Sequence, residues 1–518
     1  MTKTMVFLIG AGPGDPGLIT MRGVECLRRA DVVLHDHEVN PRLLQQARPG
    51  AELIDVGGAA PHVMAQEAIC YLIAEKAREG KVVARLKWGD PFLFDRGGEE
   101  ALFLQQNGVR LEIVPGVPMV LGAPAYAGIP ITYPGGGDTL TILRGCDETG
   151  TSMPDVDWQA LARLNGTLLC YASAYQLPRI LDALASNGFP PDTPVAVIAD
   201  GTLPTQVTAE GTLGGLFRDW QERPHRGPAL LVVGRVVAFR EYLRWFDRRP
   251  LFGRRVVVTR PREQAADLVE RLTALGAQAI EAPMIRILSP DDARPLADAV
   301  AGATAFDWIV FTSGNAVDAF MHALFAGDRD ARALSGPRLC AVGTATAEKL
   351  AAFRIKADLV PQEFTAEAAF EALRRHGPLD GLRVLLPHGD IGREVLADEL
   401  RGAGASVTEV VAYRNVIDER QRDGDPDIYR MLLDGQIDAV TFTSASAVKN
   451  FATVYGAEQT ADLLRHTTVA AIGPVTADAA TKLGIDVSVQ PGTYTVAALA
   501  DAIAAHFVAR AAKDAKTV

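Results

Sequence analysis

Residues 307–325, DWIVFTSGNAVDAFMHALF, return as residues 438–456, DAVTFTSASAVKNFATVYG. Asp307, Thr312 and Ser313 each recur 131 positions later, as Asp438, Thr443 and Ser444. Two further pairs of segments keep an offset of 130: AVGTATAEKLAAF (341–353) with AIGPVTADAATKL (471–483), and FTAEAAFEAL (364–373) with YTVAALADAI (494–503). An internal repeat of this kind predicts two structurally similar lobes, and paired lobes usually enclose a ligand.

Length, net charge and cysteine content limit the classes of protein to which this chain can belong. A chain of 518 residues predicts about three domains. The net charge of −11 argues against nucleic acid as the main partner. Its five cysteines (Cys26, Cys70, Cys146, Cys170, Cys340) form neither a CxxC pair nor a Cys/His cluster, so we expect buried thiols and no metal. Residues 5–9 are too short for a signal peptide and no apolar run reaches a membrane-spanning length, which predicts a cytoplasmic protein without a membrane partner.

Short apolar runs alternate with helical patterns along the whole chain, as in MVFLIG, KVVARL and ALLVVG. This alternation predicts an α/β protein. We place a domain boundary near residues 249–253, which gives domains of 1–245 and 246–518. The runs 288–295 and 418–426 look like two crossings between the C-terminal lobes. One lobe is then expected to comprise about 253–286 with 418–510, and the other about 289–413.

A glycine-rich loop, GAGPGDP (10–16), follows the first predicted strand. Glycines allow the backbone to approach a ligand, but Pro13 and Pro16 break dinucleotide-loop spacing. The motifs RLKWGDPF (85–92), RGGEE (96–100), VPG (114–116) and APAYAGIP (123–130) follow in order. With these motifs, residues 4–238 resemble uroporphyrinogen-III C-methyltransferase of the tetrapyrrole methylase family. The resemblance implies two α/β subdomains with S-adenosylmethionine in the cleft between them.

Family roles carry over by position. The resemblance assigns cofactor contacts to Pro13, Gly89, Asp90, Leu93 and Gly201, and a proton-accepting role to Asp36. A carboxylate there suits the chemistry, because the ring that receives a methyl group must lose a proton as it rearranges. Positioning carries most of the catalysis in an in-line methyl transfer.

Several positions depart from the family pattern. Gly58-Ala59 replaces a Lys-Arg pair, and Trp88 replaces the first glycine of Gly-Gly-Asp. Other departures are Pro118-Met119, Tyr133-Pro134 and Ala172. Two interpretations follow: a methylase of changed substrate preference, or a domain that has lost methyl transfer and serves as a scaffold. We expect weak binding of S-adenosylmethionine, because Trp88 and Pro118 crowd or stiffen the pocket.

The C-terminal half carries a second ordered series of motifs: VVTRP (257–261), FTSGNA (311–316), AVG (341–343), VLLP (384–387), VAY (411–413), FTSAS (442–446) and AIGP (471–474). With these, residues 253–508 resemble uroporphyrinogen-III synthase. That family converts hydroxymethylbilane, a linear tetrapyrrole, into a macrocycle with its last ring inverted, releasing water. The resemblance implies two similar lobes joined by hinges.

Each Thr-Ser pair precedes a helical pattern, where hydroxyls and free N–H groups suit carboxylate binding. The same hydroxyls could instead only cap helices. The resemblance assigns Tyr413 to departure of the substrate hydroxyl, although packing at a strand end is an equal alternative. It places Ser313, Thr346, Ser444 and Thr476 in the cleft, and Arg260 could hold a carboxylate or form a surface ion pair.

A different class of function stays open at this level. A two-lobed ligand-binding module fused to a silent methylase would be an intracellular tetrapyrrole sensor. The methylase family also suggests a homodimer. No third domain resembling a dehydrogenase-ferrochelatase is present in the sequence, so completion of siroheme by this chain alone is not expected.

Overall fold

The computed structural model describes residues 4–57, 64–145, 153–173, 176–215, 228–326, 329–361, 365–390, 395–417 and 426–517. They fall into two compact units. One takes in the chain up to Arg255, Arg271–Gln278 and the end from Ala504; the other comprises Val256–Glu270 and Ala279–Ile503. Our domain and lobe boundaries stay predictions. Within the described ranges, no helix is long and apolar enough to cross a membrane.

The first unit opens with a parallel sheet in the order β3-β2-β4-β1-β5. Its strands β1 and β4 are buried along their whole length, as expected when helices cover both faces. The strands are β1 (Val6–Gly10), β2 (Val32–His35), β3 (Glu52–Asp55), β4 (Val83–Lys87) and β5 (Leu111–Val114). The helices are α1 (Met21–Leu27), α2 (Pro41–Leu44), α3 (Gln66–Arg78), α4 (Gly97–Gln106) and α5 (Met119–Ala127), with a 3₁₀ turn at Pro16–Leu18.

A second, mixed sheet follows in the order β6-β7-β10-β8-β9. Only the β6–β7 pair is parallel among its ladders. The elements are β6 (Thr139–Arg144), α6 (Trp158–Arg163), β7 (Gly166–Ser173), α7 (Leu177–Ser186), β8 (Pro194–Ala199), β9 (Val207–Thr212), β10 (Pro228–Val233), a 3₁₀ helix (Arg235–Phe239) and α8 (Arg240–Leu243). Two α/β subdomains are therefore present, as predicted.

The C-terminal half forms two more sheets. One has the order β12-β11-β18-β19, with β11, β18 and β19 parallel. Its elements are β11 (Arg255–Val258), α9 (Arg262–Ala274), β12 (Gln278–Glu281), and later α15 (Ile428–Leu433), β18 (Ala439–Phe442), α16 (Ala445–Tyr455), α17 (Thr460–Leu463), β19 (Thr468–Ala471), α18 (Pro474–Thr481) and α19 (Val496–Thr517). Strands from both ends of this half thus share one sheet.

The other sheet has the order β13-β17-β16-β14-β15, with only β13 antiparallel to its neighbour. Its elements are β13 (Ile285–Leu288), α10 (Arg294–Ala301), β14 (Trp308–Phe311), α11 (Gly314–Phe325), β15 (Arg338–Ala341), α12 (Thr344–Ala352), α13 (Ala366–His376), β16 (Arg383–Gly389), α14 (Val395–Gly402) and β17 (Ser406–Ile417), with 3₁₀ turns at Ala303–Ala305 and Ala331–Leu334. The predicted crossing at 418–426 lies almost entirely outside the described residues.

The sequence repeat is also a repeat of contacts. Phe311 packs edge-on against Phe320 with ring centroids 5.5 Å apart, and Phe442 packs on Phe451 at 5.4 Å. The N–H of Val342 donates to the carbonyl of Phe311 at 2.9 Å, and the pair Ile472 and Phe442 has the same distance. The two lobes therefore share their internal packing as well as their order of elements.

The predicted buried thiols are present where the structure describes them. Cys26, Cys70, Cys170 and Cys340 are free and buried, and Cys146 lies outside the described residues. Burial raises the pKa of the Cys340 thiol to about 12. These thiols behave as small apolar side chains of the core.

We expect Phe320→Ala and Phe451→Ala to destabilise the protein by a similar amount, about 3–5 kcal/mol each, because each removes a fully buried ring from a matched aromatic pair. Urea unfolding midpoints measure this. Phe325→Ala is the control, since that ring is 43% exposed. Clearly unequal shifts for the two variants would contradict the equivalence of the two cores, and midpoints equal to that of the control would contradict the cost of removing the buried rings.

Candidate functional site

Three glycine loops meet at the carboxyl edge of the parallel sheet in the first unit. Gly12 and Gly89 form a two-way bridge, with N–H to carbonyl distances of 3.2 and 2.9 Å. A Cβ at Gly116 would lie 2.2 Å from the carbonyl oxygen of Gly89, and one at Gly10 would lie 2.5 Å from Cα of Gly116. Side chains cannot fit there, so these three loops, called the cradle below, pack backbone to backbone at the position where α/β sheets bind ligands.

A fourth loop, residues 200–206, closes against this cradle. The hydroxyl of Thr202 accepts a hydrogen bond from the N–H of Asp15 at 3.0 Å. Asp200 and Thr202 have φ angles of 49° and 73°, values that non-glycine residues rarely adopt. A Cβ at Gly201 would lie 2.3 Å from Cβ of Ala123, so this loop lies directly on α5. The strained residues Asp200 and Thr202 therefore lie beside the first glycine loop, which Thr202 contacts at Asp15.

The predicted cofactor residues lie around this cradle. Asp90 accepts hydrogen bonds from the N–H groups of Gly116 at 3.0 Å and Phe92 at 2.8 Å, so its carboxylate joins two loops. Pro13 lies against α5, where a Cβ at Gly122 would come within 2.7 Å of its ring. Leu93 packs against the apolar cluster that includes Met119. Direct contact of these residues with a cofactor stays a prediction.

The Trp88 side chain is partly buried. It packs against the cluster of Met119 and Val120, while its backbone N–H donates to Asp36 at 2.8 Å. The glycine bridge next to it is therefore kept despite the large ring. Another departure, Gly58-Ala59, lies outside the described residues.

Asp36, the predicted proton acceptor, lies just after β2 with its side chain 20% exposed. One carboxylate oxygen accepts from the guanidinium of Arg85, and the other from the N–H of Trp88. Arg85 is 2% exposed. These two hydrogen bonds hold Asp36 in one orientation, and the buried guanidinium of Arg85 balances its negative charge.

Behind Asp36 lies a buried charged cluster that sequence reasoning missed. Glu100 is fully buried, and one of its oxygens accepts from Arg85 at 3.2 Å and from Lys87 at 3.1 Å. Lys87 also pairs with Asp95 at 3.1 Å, which ties together the two ends of the loop that contains Gly89. Burial raises the pKa of Asp95. The signal was present in RLK (85–87), where two cations alternate within an otherwise apolar strand.

In the second unit, Ser313 and Ser444 occupy equivalent positions. Ser313 caps α11 by accepting from the N–H of Ala316 at 3.2 Å, and Ser444 caps α16 through Ala447 at 3.1 Å. Their backbone angles agree within a few degrees. The capping interpretation is confirmed for both residues, and substrate binding by them stays a prediction.

Tyr413 lies at a junction between two strand ladders. A bulge in the β16–β17 register brings it opposite Gly389, and the next residue, Arg414, begins the antiparallel pairing with β13. A Cβ at Gly389 would lie 2.8 Å from the tyrosine ring. The Tyr413 hydroxyl is 3.1 Å from the hydroxyl of Ser313. Two predicted site residues are therefore brought together, by a bulge that sequence reasoning did not foresee.

The remaining predicted residues differ in accessibility. Thr346 and Thr476 are buried, with 4% and 5% exposure, and the Thr346 hydroxyl donates to the carbonyl of Val342. Arg260 is half-buried and 3.4 Å from the side-chain oxygen of Gln264. In the part of the chain that the structure describes, no group of three or more acidic, histidine or cysteine side chains could hold a metal ion.

Known proteins match both halves. Residues 5–216 match the family of Tetrapyrrole (Corrin/Porphyrin) Methylases, and residues 266–501 match Uroporphyrinogen-III synthase HemD. The porphyrin biosynthesis protein HemD of Ruminiclostridium josui is 34% identical over 488 residues, which is 94% of this chain and 95% of that protein. The uroporphyrinogen-III C-methyltransferase of Bacillus subtilis (strain 168) is 38% identical over 337 residues, covering 65% of this chain and 69% of that protein.

A solved structure of uroporphyrin-III C-methyl transferase from Thermus thermophilus, complexed with S-adenyl homocysteine, is 35% identical and covers 45% of this chain and 99% of its own, with a TM-score of 0.39. The relative from Ruminiclostridium josui spans both halves of the sequence. The chain belongs to the family of HemD porphyrin biosynthesis proteins, in which a tetrapyrrole methylase domain is joined to a uroporphyrinogen-III synthase domain.

Proposed function

We propose that this chain carries out two reactions of tetrapyrrole biosynthesis. The C-terminal half cyclises hydroxymethylbilane to uroporphyrinogen III with inversion of the last ring. The N-terminal half methylates uroporphyrinogen III at carbon, towards precorrin-2, with S-adenosylmethionine as methyl donor. The observation that carries the proposal is the Ser313–Tyr413 hydroxyl pair, placed between a helix N-terminus and the pairing of β13 with β17.

The synthase reaction needs loss of a hydroxyl group from a flexible polyanion. The Tyr413 O–H donates its proton to the departing hydroxyl, which leaves as water, and a cationic methylene remains on the tetrapyrrole. The substituted α-carbon of the last pyrrole ring attacks this cation, and the bond from that carbon to its original methylene bridge then breaks. The freed methylene, now cationic, forms a bond to the other α-carbon of the same ring, which loses a proton, so the ring is inverted. Ser313 orients the Tyr413 hydroxyl at 3.1 Å, while the capped N-termini of α11 and α16 offer N–H groups to carboxylates.

The methylase site fits S-adenosylmethionine. In the cradle, Gly10, Gly89 and Gly116 pack backbone to backbone, and Asp90 holds two of its loops together. When bound, the cofactor supplies an electrophilic methyl group. Asp36, oriented by Arg85 and the Trp88 N–H, accepts the proton that the methylated tetrapyrrole releases.

The alternative of a catalytically silent tetrapyrrole sensor is not favoured, because the relatives matched on both halves are biosynthetic proteins. A silent methylase half is also less well supported than an active one, since the glycine bridge is formed and the partly buried Trp88 ring packs against a core cluster. The homodimer and the cytoplasmic location stay predictions.

One incubation tests both reactions. Purified protein receives freshly made hydroxymethylbilane with and without S-adenosylmethionine, and the oxidised products are separated by isomer. The type III isomer above the spontaneous type I background supports the synthase, and a further methylated product only with cofactor supports the methylase. Type I alone would contradict the synthase function.

We expect Tyr413→Phe to lower kcat for cyclisation by about a hundredfold without unfolding the protein, because only the proton donor is removed. Formation of the type III isomer measures this. Tyr429→Phe is a matched control, since Tyr429 is 38% exposed and stacks on Tyr455. Wild-type turnover in Tyr413→Phe would remove this residue from the mechanism.

We expect Gly116→Ala to abolish binding of S-adenosylhomocysteine, because the added Cβ would lie 2.2 Å from the carbonyl oxygen of Gly89 and force the loops apart. Isothermal calorimetry measures the affinity, and thermal unfolding shows whether the variant is folded. Gly98→Ala is the control, since a Cβ there meets nothing within 4 Å. Unchanged affinity in a folded Gly116→Ala protein would contradict the cradle as cofactor site.

A further inference from the structure

Arg260 is a partly buried cation with no acidic partner among the described residues. It follows β11 at the carboxyl edge of its sheet and is half-buried. Among the described residues, no carboxylate lies within ion-pairing distance of it, and its pKa is lowered by burial, with only the field of Asp267 opposing. A partly desolvated guanidinium with spare N–H donors strongly favours an incoming carboxylate.

The side-chain amide of Gln264 forms hydrogen bonds through both its oxygen and its nitrogen. Its oxygen accepts from Arg260 at 3.4 Å, which is a long hydrogen bond. Its NH₂ group donates to the side-chain oxygen of Asn315 at 2.5 Å. Gln264 is on α9, beside the four-stranded sheet, whereas Asn315 is on α11, beside the five-stranded sheet. This amide pair therefore joins the two lobes.

Asn315 stands next to the proposed reaction centre. It is the second residue of α11, whose N-cap is Ser313, and the Ser313 hydroxyl lies 3.1 Å from that of Tyr413. The contacts run without a break from Arg260 through Gln264 and Asn315 to the helix start that orients Tyr413. Three of these links are hydrogen bonds between side chains, and the fourth joins Asn315 to Ser313 within the first turn of α11.

We propose that Arg260 binds one carboxylate of the tetrapyrrole, and that Gln264 and Asn315 are positioning residues that link this binding to the placement of Tyr413. The proposal rests on the synthase function proposed above and identifies residues that set its substrate recognition. A charged carboxylate replaces the weak Gln264 acceptor at Arg260, while the Gln264–Asn315 hydrogen bond keeps the two lobes in register.

Two substitutions at Gln264 separate charge from packing. Gln264→Glu keeps the side-chain shape but places a carboxylate on Arg260, so it competes with the substrate. Gln264→Met keeps the length and leaves Arg260 free. We expect the dissociation constant for uroporphyrin III, measured by its fluorescence, and KM for hydroxymethylbilane to be about tenfold higher in Gln264→Glu than in Gln264→Met.

A matched control exists elsewhere in the chain. Gln278 accepts from Arg255 at 3.1 Å, so Gln278→Glu makes the same change beside an arginine outside the proposed site. We expect wild-type affinity and turnover in that variant. Asn315→Leu should lower kcat severalfold with an unchanged dissociation constant, because it breaks the link to Ser313 and leaves Arg260 intact.

The outcomes are distinguishable. A wild-type protein that forms no type III isomer overturns the synthase function and this proposal with it. If the wild type is active but Gln264→Glu and Gln264→Met bind uroporphyrin III equally well, Arg260 is not the carboxylate site and the synthase function stands. Unchanged kcat in Asn315→Leu removes the link to Tyr413.

Discussion

Parallel strand pairing decides where the functional groups of this chain can lie. In three of the four sheets that the structure describes, a core of parallel strands brings several strand-to-helix turns to one edge. The glycine cradle forms at such an edge in the first unit, and Ser313 and Ser444 occupy such edges in the second. The first N–H groups of the helices that follow these strands lie at the same edges, so backbone groups contribute to both proposed sites.

This architecture resolves the mismatch between an acidic protein and an acidic substrate. The net charge is −11, yet backbone N–H groups attract carboxylates without adding cations. The buried cations of the first sheet each have acidic partners. Arg85 and Lys87 are balanced by Asp36, Glu100 and Asp95, whereas Arg260 has no acidic partner within the described residues. Local charge, and not the total, therefore sets what each site accepts.

Much of the fold could be predicted because its signals are local. The repeat at an offset of 131 predicted two similar lobes, and the Phe311–Phe320 and Phe442–Phe451 pairs show the same packing in both. Helix capping by Ser313 and Ser444 needs only the N-cap residue and the turn after it.

Other features depend on tertiary structure, and the residues concerned carry little signal in their own neighbourhood of the sequence. The position of Tyr413 depends on a bulge between two strands, and a change of one residue in register would turn its ring away. The Gln264–Asn315 hydrogen bond joins residues 51 positions apart on different lobes. Glu100 sits on a helix whose sequence, GGEE, looks solvent-exposed, and only the fold shows that it is fully buried beneath Arg85.

The antiparallel pairing of β13 with β17 has a mechanical consequence. Four consecutive register pairs, from Ile285–Ile417 to Leu288–Arg414, form a two-stranded ribbon directly beyond Tyr413. Sliding one strand along the other would break every pair, whereas bending and twisting the ribbon would break none. The ribbon can therefore bend or twist without losing its pairing but cannot slide, and Tyr413 lies where the ribbon meets the pairing of β16 with β17.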